Sequence, residues 1–462
     1  LEPGEHGFGA RLDTFFDALN DFANNVESIP SREAALAEAQ AVAGSLHELA
    51  ERLFTLRTNA NEEVRNLVPE INSLAERIGA LNVQIGRLEV GDHSANDLRD
   101  DRDLLLDQLA RLINITTRER QDGQVDVFVG SDQLVNGDRI RAVEARQNTA
   151  LDPERGDLVE IRFADTGNLV QIRDGEIFGA LTIRDAVLTE VDNRVDTLAA
   201  TLIEQLNRIQ SQGNGLVNLS GTITGTNAVD SATNPLISAG LPFNVTPGTF
   251  DVIVYDSAGN STTTTITVTA TTTLNDLAAA LSAVPNFTAS VSGNTLTLGA
   301  AAGSTFGFAN DTSGTLTALG TNGLFTGTDA RSIAVNPALL DNPALLASAT
   351  STDILDTGDN TAALAMANLR TATVLDSGAA TLGNFYESMI VRLGVDARAN
   401  AENFQVAQAF ISDFQRRREE TSGVSIDEEV TNLLLFQRAF EASARIITIA
   451  DRMLEALLQI AR

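Results

Sequence analysis

The residues that could carry out chemistry are few and lie far apart. Histidine occurs only at His6, His47 and His93, and no His-Glu-x-x-His motif is present. The chain has no cysteine, which excludes disulfides, thiolate nucleophiles and thiolate metal sites. We therefore interpret the three histidines as surface residues and predict neither a metal site nor a cofactor.

Two further groups of residues invite a chemical interpretation. Asp251, Asp256 and Asn260 offer oxygen ligands, but the calcium loop of an EF-hand, with its terminal Glu, is absent, so a turn between strands is preferred. Asn260-Ser261-Thr262 fits a glycosylation acceptor, which arises easily by chance in a region rich in Asn and Thr. No phosphate-binding glycine loop, dinucleotide fingerprint or nucleophile elbow occurs. The sequence thus predicts no catalytic residues and no enzyme.

The amino-acid composition limits the classes of partner that the protein can bind. Of the 462 residues, 62 are acidic and 32 basic, which gives a net charge of −30. Binding to nucleic acid or to an anionic membrane needs clustered basic residues, so this balance disfavours both. No apolar run reaches the roughly 18 residues of a transmembrane helix. The chain does not begin with Met and lacks a signal peptide, so we expect further residues upstream.

The tail is the element most in need of a partner. Residues 425–462 contain no Gly or Pro, begin at a capping box of Ser425 and Glu428, and carry an apolar seven-residue repeat. Such a stripe packs against another helix. Its two seams are Leu433, Phe440, Ile447, Leu454 and Ala461, and Phe436, Ser443, Ala450 and Leu457. No unused apolar helix of this chain matches it, so we predict assembly with other molecules.

Heptads also occur earlier in the chain, where we interpret them as the core of an intramolecular bundle. One seam, in residues 39–56, includes Leu56. The next stretch divides its positions between β-branched residues and Leu, a pattern typical of coiled coils; these are Val64, Ile71, Ile78 and Ile85, and Leu67, Leu74, Leu81 and Leu88. A third set is Leu181, Leu188, Val195, Leu202 and Ile209.

A further apolar stripe is Phe404, Ala407, Ile411 and Phe414. It precedes Arg416 to Arg418, and we interpret these arginines as a solvated helix end or as a contact with an acidic neighbour.

The predicted fold class is multidomain α+β. Residues 1–217 form the first part of a helical-bundle or coiled-coil rod domain, with a β-rich subregion at about 122–175. Residues 218–341, rich in Ser, Thr, Gly, Asn and Ala, form an inserted β-rich outer domain. Residues 342–423 return to the rod domain, and residues 424–462 are the C-terminal amphipathic helix.

The tail also carries a family resemblance, in segments 422–429 (SGVSIDEE), 436–442 (FQRAFEA) and 451–454 (DRML). These resemble the C-terminal signature of bacterial flagellar axial proteins, and the Gly-Val-x-x-Asp-Glu-Glu form resembles the hook-associated protein 1 (FlgK-type) family. Internal segments match that family in the same order: 61–64, 71–75, 96–103, 174–181, 184–185 and 320–327. Family members have further residues before the segment equivalent to Leu12, including an N-terminal helix that pairs with the C-terminal one. We therefore expect this chain to be a fragment.

The resemblance implies a structural protein that is exported unfolded by type III secretion and builds the junction between hook and filament. The implied partners are further copies of itself in a ring or helical layer, the hook protein, the next junction protein (FlgL type) and a cytoplasmic export chaperone (FlgN type). The implied location is the extracellular flagellum, after a transient cytoplasmic stage. The residues that we expect to form the assembly and chaperone contacts are Val430, Leu433, Phe436, Phe440, Ile447, Leu454 and Leu457.

The alternative function is a cell-surface adhesin or binding module that works through the inserted β domain. It predicts a specific ligand for residues 218–341 and no need of the tail. A secreted enzyme is the third possibility, and the absence of catalytic motifs disfavours it.

Overall fold

The computed structural model describes residues 7–89, 95–151, 157–350 and 358–422, together with 433–435, 437–438 and 441. The helices are α1 Phe8–Asn24, α2 Ile29–Leu88, α3 Asn96–Leu112, α4 Glu176–Thr182, α5 Leu188–Gln210, α6 Leu274–Ser282, α7 Thr315–Ala318, α8 Pro337–Asp341, α9 Thr361–Asn368 and α10 Leu382–Ser422. A π-helical turn, Ile183–Val187, joins α4 to α5.

The strands, in chain order, are β1 Thr116–Glu119, β2 Val125–Val129, β3 Asp132–Asn136, β4 Arg139–Ile140, β5 Val143–Gln147, β6 Val159–Phe163, β7 Thr222–Thr224, β8 Gly248–Tyr255, β9 Ser261–Val268, β10 Phe287–Ser292, β11 Thr295–Ala300, β12 Thr305–Ala309, β13 Phe325–Thr326 and β14 Ala334–Val335. Long helices and several small antiparallel sheets confirm the predicted multidomain α+β class.

The 60-residue helix α2 organises most of the fold. It begins where the Ser28 hydroxyl accepts a hydrogen bond from the Ser31 amide at 3.3 Å, and Pro30 in the first turn needs no amide donor. Pro69 lies inside the helix on its exposed face. The heptad residues of α2 are largely buried, so most of them belong to the intramolecular core. Leu56 and Leu88 depart from that prediction, since they are 52% and 57% exposed.

Two hydrophobic cores share α2. The first joins Ala35 to Leu53 of α2 to α1 and α5, and it extends into the chain from Leu219 to Met389. The second joins Val64 to Ile78 of α2 to α3 and the strands between Val125 and Phe163. Residues 54–60 of α2, between these two stretches, include no buried side chain.

The β-rich subregion packs on the second half of α2. Strands β1 to β4 form an antiparallel sheet in chain order, and β5 pairs with β6. Strand β1 lies before the predicted start at 122. It was not predicted because its four exposed residues show no alternation of apolar and polar side chains. The apolar run 169–172, inside the predicted β-rich subregion, is not a strand: Leu169 forms only an isolated bridge with Arg162.

The region after α5 contains two three-stranded sheets, ordered β12-β8-β9 and β10-β11-β7. The predicted turn between strands joins β8 to β9, and a second hairpin pairs β10 with β11, both in antiparallel register. Phenylalanine rings join the sheets, because Phe287 and Phe306 stand edge to face at 5.1 Å and Phe306 and Phe308 at 5.7 Å. The limits 218–341 of the inserted domain stay a prediction.

The chain divides into two compact units, Leu1–Ile390 and Val391–Arg462. Helix α10 contributes residues to both. Its first residues belong to the core of the first unit, where Leu382, Phe385 and Met389 are buried.

Candidate assembly surface

The described helical part of the second unit exposes large apolar side chains along its length. Their exposed fractions lie between 51% and 66%, and the residues are Val391, Val395, Phe404, Val406, Phe410, Ile411 and Phe414. Burying one such side chain stabilises a protein by about 1.5–3 kcal/mol, so a continuous exposed set is a strong driving force for association.

Spacing places the largest of these residues on one face. Phe404, Ile411 and Phe414 recur at intervals of seven and three, as the sequence predicted, and Phe410 lies one residue from that seam. Val406 and Phe410 were not part of the predicted stripe, although their i, i+4 spacing is the signal that widens it. The result is a broad apolar face, which suits contact with more than one helix.

The other face of the same helix is polar. Gln405 and Ser412 are exposed there. Near the end of the described helix, Asp413 forms ion pairs with Arg416 and, at 2.9 Å, with Arg417. These pairs form within one helix at exposed positions, where an ion pair contributes little to stability. They agree with a solvated helix end.

The predicted contact residues of the tail are only partly described. Leu433 is helical and 66% exposed, as are its neighbours Leu434 and Leu435 at 52% and 60%. Val430, Phe436, Phe440, Ile447, Leu454 and Leu457 lie outside the described residues, so their contacts stay predictions.

The residues considered for chemistry have structural roles where they are described. Exposed His47 places Nδ1 2.9 Å from the Arg331 carbonyl oxygen, whereas His6 and His93 lie outside the described residues. Asp256 accepts hydrogen bonds from the amides of Ala258 and Asn260 at 2.9 and 2.8 Å, which identifies this segment as the turn of the β8–β9 hairpin. Asp251 lies in β8, so the preferred interpretation of this segment as a strand and its turn is confirmed.

Titratable groups in the described part of the chain do not converge on a reactive centre. No cluster of three or more His, Asp or Glu side chains suited to a metal ion occurs there. Burial raises the pKa of Glu204, and burial with the nearby carboxylates of Asp192 and Asp329 raises the pKa of Asp196. Within the same described residues, no helix is both long and apolar enough to cross a membrane.

Comparison with known proteins shows which proteins this chain resembles. The model of the flagellar hook-associated protein FlgK helical domain matches residues 1–227, and that of the flagellar basal body rod FlgEFG protein C-terminal region matches residues 415–460. Flagellar hook-associated protein 1 of Bacillus subtilis is 23% identical over 99% of this chain and 77% of its own length. The Escherichia coli protein of that name is 24% identical over 100% and 82%. The chain is similar over its whole length to flagellar hook-associated protein 1, the FlgK type.

A solved structure shares the fold. The flagellar hook junction protein FlgK from Burkholderia pseudomallei aligns with a TM-score of 0.55 at 16% sequence identity, and the match covers 91% of this chain and 94% of that one. The family resemblance drawn from the tail and the internal segments is thus confirmed. The second family match, 415–460, falls on the tail that the sequence analysis assigned to assembly.

Proposed function

We propose that this chain is a structural subunit of the junction between the flagellar hook and filament, outside the cell. The similarity to flagellar hook-associated protein 1 supports this location in the flagellum. The apolar face of α10 between Phe404 and Phe414 is the observation that supports assembly as the mechanism. The work is association and not catalysis, so we propose that the protein is not an enzyme. The relatives give no support to the adhesin alternative.

In this proposal, the exposed seam of α10 and the tail beyond it are buried by neighbouring copies. Each large apolar side chain removed from water contributes about 1.5–3 kcal/mol, so a few of them suffice to hold a subunit in place. The other proposed partners are the hook protein on one side and the next junction protein, of FlgL type, on the other. Nucleic acid and membranes are not partners, in keeping with the net charge of −30.

Before export the same seam is a liability, because large exposed apolar patches aggregate. We therefore propose that a chaperone of FlgN type covers residues 430–458 in the cytoplasm and that the chain then passes unfolded through the type III channel. The described exposure of Leu433, Leu434 and Leu435 supports this assignment.

The test compares two charge insertions on opposite faces of α10. Phe414→Asp places a carboxylate in the apolar seam, whereas Ser412→Asp places one on the polar face two residues away. The full gene product of each variant is added to purified hooks that lack junction proteins, and the density added at the tips is measured by electron microscopy. We expect the parent and Ser412→Asp to form a short, saturating cap, and Phe414→Asp to need at least about tenfold more protein.

Circular dichroism melts of both variants control for folding. Bare hook tips with the folded parent protein would contradict the junction function. Equal capping by both variants would agree with the junction function but would show that the apolar face of α10 does not contribute to assembly.

A further inference from the structure

The outer edge of strand β9 is an unused hydrogen-bonding surface. β9 is eight residues long and ends one side of the sheet β12-β8-β9. Beyond the last paired residues of the hairpin, the Asp256 amide donates to the Asn260 carbonyl at 3.0 Å. In an antiparallel pair, every second residue bonds to the partner strand. Counting from Asn260, the residues of β9 whose backbone groups point toward β8 are Thr262, Thr264, Ile266 and Val268. The backbone N–H and C=O groups of Ser261, Thr263, Thr265 and Thr267 therefore face outward, and within the described residues no strand pairs with them.

Other sheet edges in this region are capped. The Ser282 hydroxyl donates to the Ala289 carbonyl of β10 at 2.8 Å and accepts from the Ala289 amide at 3.3 Å. Leu219 exchanges two backbone hydrogen bonds with Phe306 of β12, at 3.0 and 2.9 Å. Strand β7 has only three residues.

β9 lacks these protections. It contains no charged residue and no proline, and its register with β8 runs without a bulge. Folded proteins normally blunt a long edge with one of those features, because a bare edge is a template for another strand. The side chains of the outward-facing residues are all exposed as well.

We propose that β9 pairs antiparallel with β9 of a second copy, about a twofold axis at Thr264. In that register Ser261 of one copy lies opposite Thr267 of the other, and Thr263 lies opposite Thr265. Every outward-facing residue then meets another outward-facing residue, so each pair exchanges two backbone hydrogen bonds. The pairing joins two three-stranded sheets into one continuous sheet.

Charge and side-chain chemistry favour a second copy as the occupant. Two chains of net charge −30 repel each other over most of their surfaces, but β9 is neutral. The Asp251 carboxylate beside it is engaged by the Thr265 hydroxyl at 2.6 Å and the Asn310 amide at 2.8 Å. Opposed Thr and Ser side chains are favourable cross-strand pairs. Because a twofold contact closes at two copies, it is distinct from any contact that extends a ring.

Single cysteines test the register, since the chain has no cysteine of its own. Thr264→Cys places two thiols across the axis in a non-hydrogen-bonded pair, with Cα atoms about 4.5 Å apart, which is within disulfide range. Ser261→Cys is the matched control, because six residues along the strand separate it from its counterpart by about 20 Å. In the full chain under mild oxidation, we expect Thr264→Cys to cross-link at least about tenfold faster than Ser261→Cys.

A second variant tests the backbone hydrogen bonds. Thr263→Pro removes an amide that faces outward, so the β8–β9 pairing keeps its own bonds and the monomer stays folded. Added to Thr264→Cys, it is expected to slow cross-linking about tenfold, whereas Thr263→Val keeps the fast rate. Equal cross-linking at positions 261 and 264, or no effect of Thr263→Pro in a protein whose melt is unchanged, would overturn the pairing. The edge would then be left to a strand of a different protein.

Discussion

Buried and half-buried asparagines on helices set the position of strands in this molecule. Asn82 accepts from the Val125 amide at 3.0 Å and donates to the Val125 carbonyl at 2.8 Å. Asn72 does the same with Val143, at 2.9 and 2.8 Å. Each side-chain amide thus replaces the backbone of a neighbouring strand, with both its oxygen and its nitrogen satisfied.

Asn207 repeats this arrangement, and Asn61 bonds to the backbone of two residues, Val159 and Asp157. Asn61 accepts from the Val159 amide at 3.0 Å, and Asn207 of α5 accepts from and donates to Phe325 at 2.8 Å each. Buried arginines reinforce it, since Arg184 donates to Asn61 at 2.8 Å and Arg102 to Asn82 at 3.2 Å. The helices therefore fix strand position by directed bonds as well as by apolar contact.

Replacing Asn82 by Ala is expected to destabilise the protein by at least about 2 kcal/mol, because it leaves the amide and carbonyl of Val125 buried without partners. Asn59→Ala is the control, since Asn59 is an exposed residue of the same helix and its replacement should cost less than about 0.5 kcal/mol. Urea unfolding followed by circular dichroism measures both. Equal midpoints would contradict a positioning role for Asn82.

These asparagines mark the limit of prediction from sequence at the residue scale. The apolar repeat predicted Ile71 and Ile78 as core, and both are fully buried. Asn72 and Asn82 interrupt no apolar stripe, so an argument from hydrophobic periodicity assigns them to the surface. Their roles depend on Val143 and Val125, which are far away in sequence, and only the folded chain brings these pairs together.

At the scale of elements, an ion pair joins the end of α2 to the start of α3. Arg99 donates to Glu89 at 2.6 and 2.7 Å and to Glu119 of β1 at 2.8 Å, and the Ala95 amide donates to Glu89 at 3.0 Å. The Arg99 hydrogen bonds, followed by that of Ala95, lower the pKa of Glu89 to about 2. Helix α3 is thus tied to α2 by charge at one end and by the second core along its length.

This lowered pKa predicts a pH dependence. A carboxyl group whose pKa falls on folding stabilises the protein above its ordinary pKa, near 4.3, and loses that contribution as the pH falls toward 2. Glu89→Gln should therefore lower the melting temperature at pH 7, and the difference from the parent should shrink between pH 4.5 and pH 2. Thermal melts across this range measure it, with the exposed Glu63→Gln as control. A difference that stays constant with pH would rule out the ionised carboxylate as its source.

Elements differed in how far the sequence predicted them. The second half of β9 and strands β10 and β11 alternate apolar and polar residues, and they form within the predicted β-rich region. β1 was missed because all of its side chains are exposed, so only its pairing with β2 makes it a strand. The run 169–172 has the right composition but gains only one bridge, since strand formation depends on an available partner edge.

At the scale of the whole molecule, the first core connects the helices to the chain that follows α5. Phe325 stacks edge to face with Phe15 of α1 at 6.4 Å and bonds to Asn207 of α5. Val335 and Leu339 are buried in the same core. The segment 322–346 follows the two three-stranded sheets in the chain, and it also contributes side chains to the core of the helical bundle.

Two deletions distinguish the limits of the inserted region. Removing 216–321 takes out both three-stranded sheets and retains Phe325, and its ends are near each other because Asn322 donates to the Gln210 carbonyl at 3.4 Å. We expect a cooperative helical melt to survive. Removing 220–340 also removes Phe325 and Val335, and we expect it to abolish that melt by opening the first core. Calorimetry of both proteins decides, and survival of the longer deletion would support the predicted limits 218–341.

The candidate surface could be predicted from sequence only in part. The apolar repeat of α10 was visible, and Phe404, Ile411 and Phe414 are exposed as an assembly seam requires. What covers them could not be derived, because a stripe of Phe and Ile has the same pattern whether its partner lies in the same chain or in another.

Helix α2 has a mechanical consequence. Its residues 54–60 lie between two cores that hold it on either side, and no side chain of that stretch is buried. A second helical connection links the same two cores, because Ala180 belongs to the second core and Leu188 to the first, and Arg184 between them donates to Asn61 of α2 at 2.8 Å. A twist applied to one core therefore reaches the other along two helical segments, which together resist relative rotation better than a single helix would.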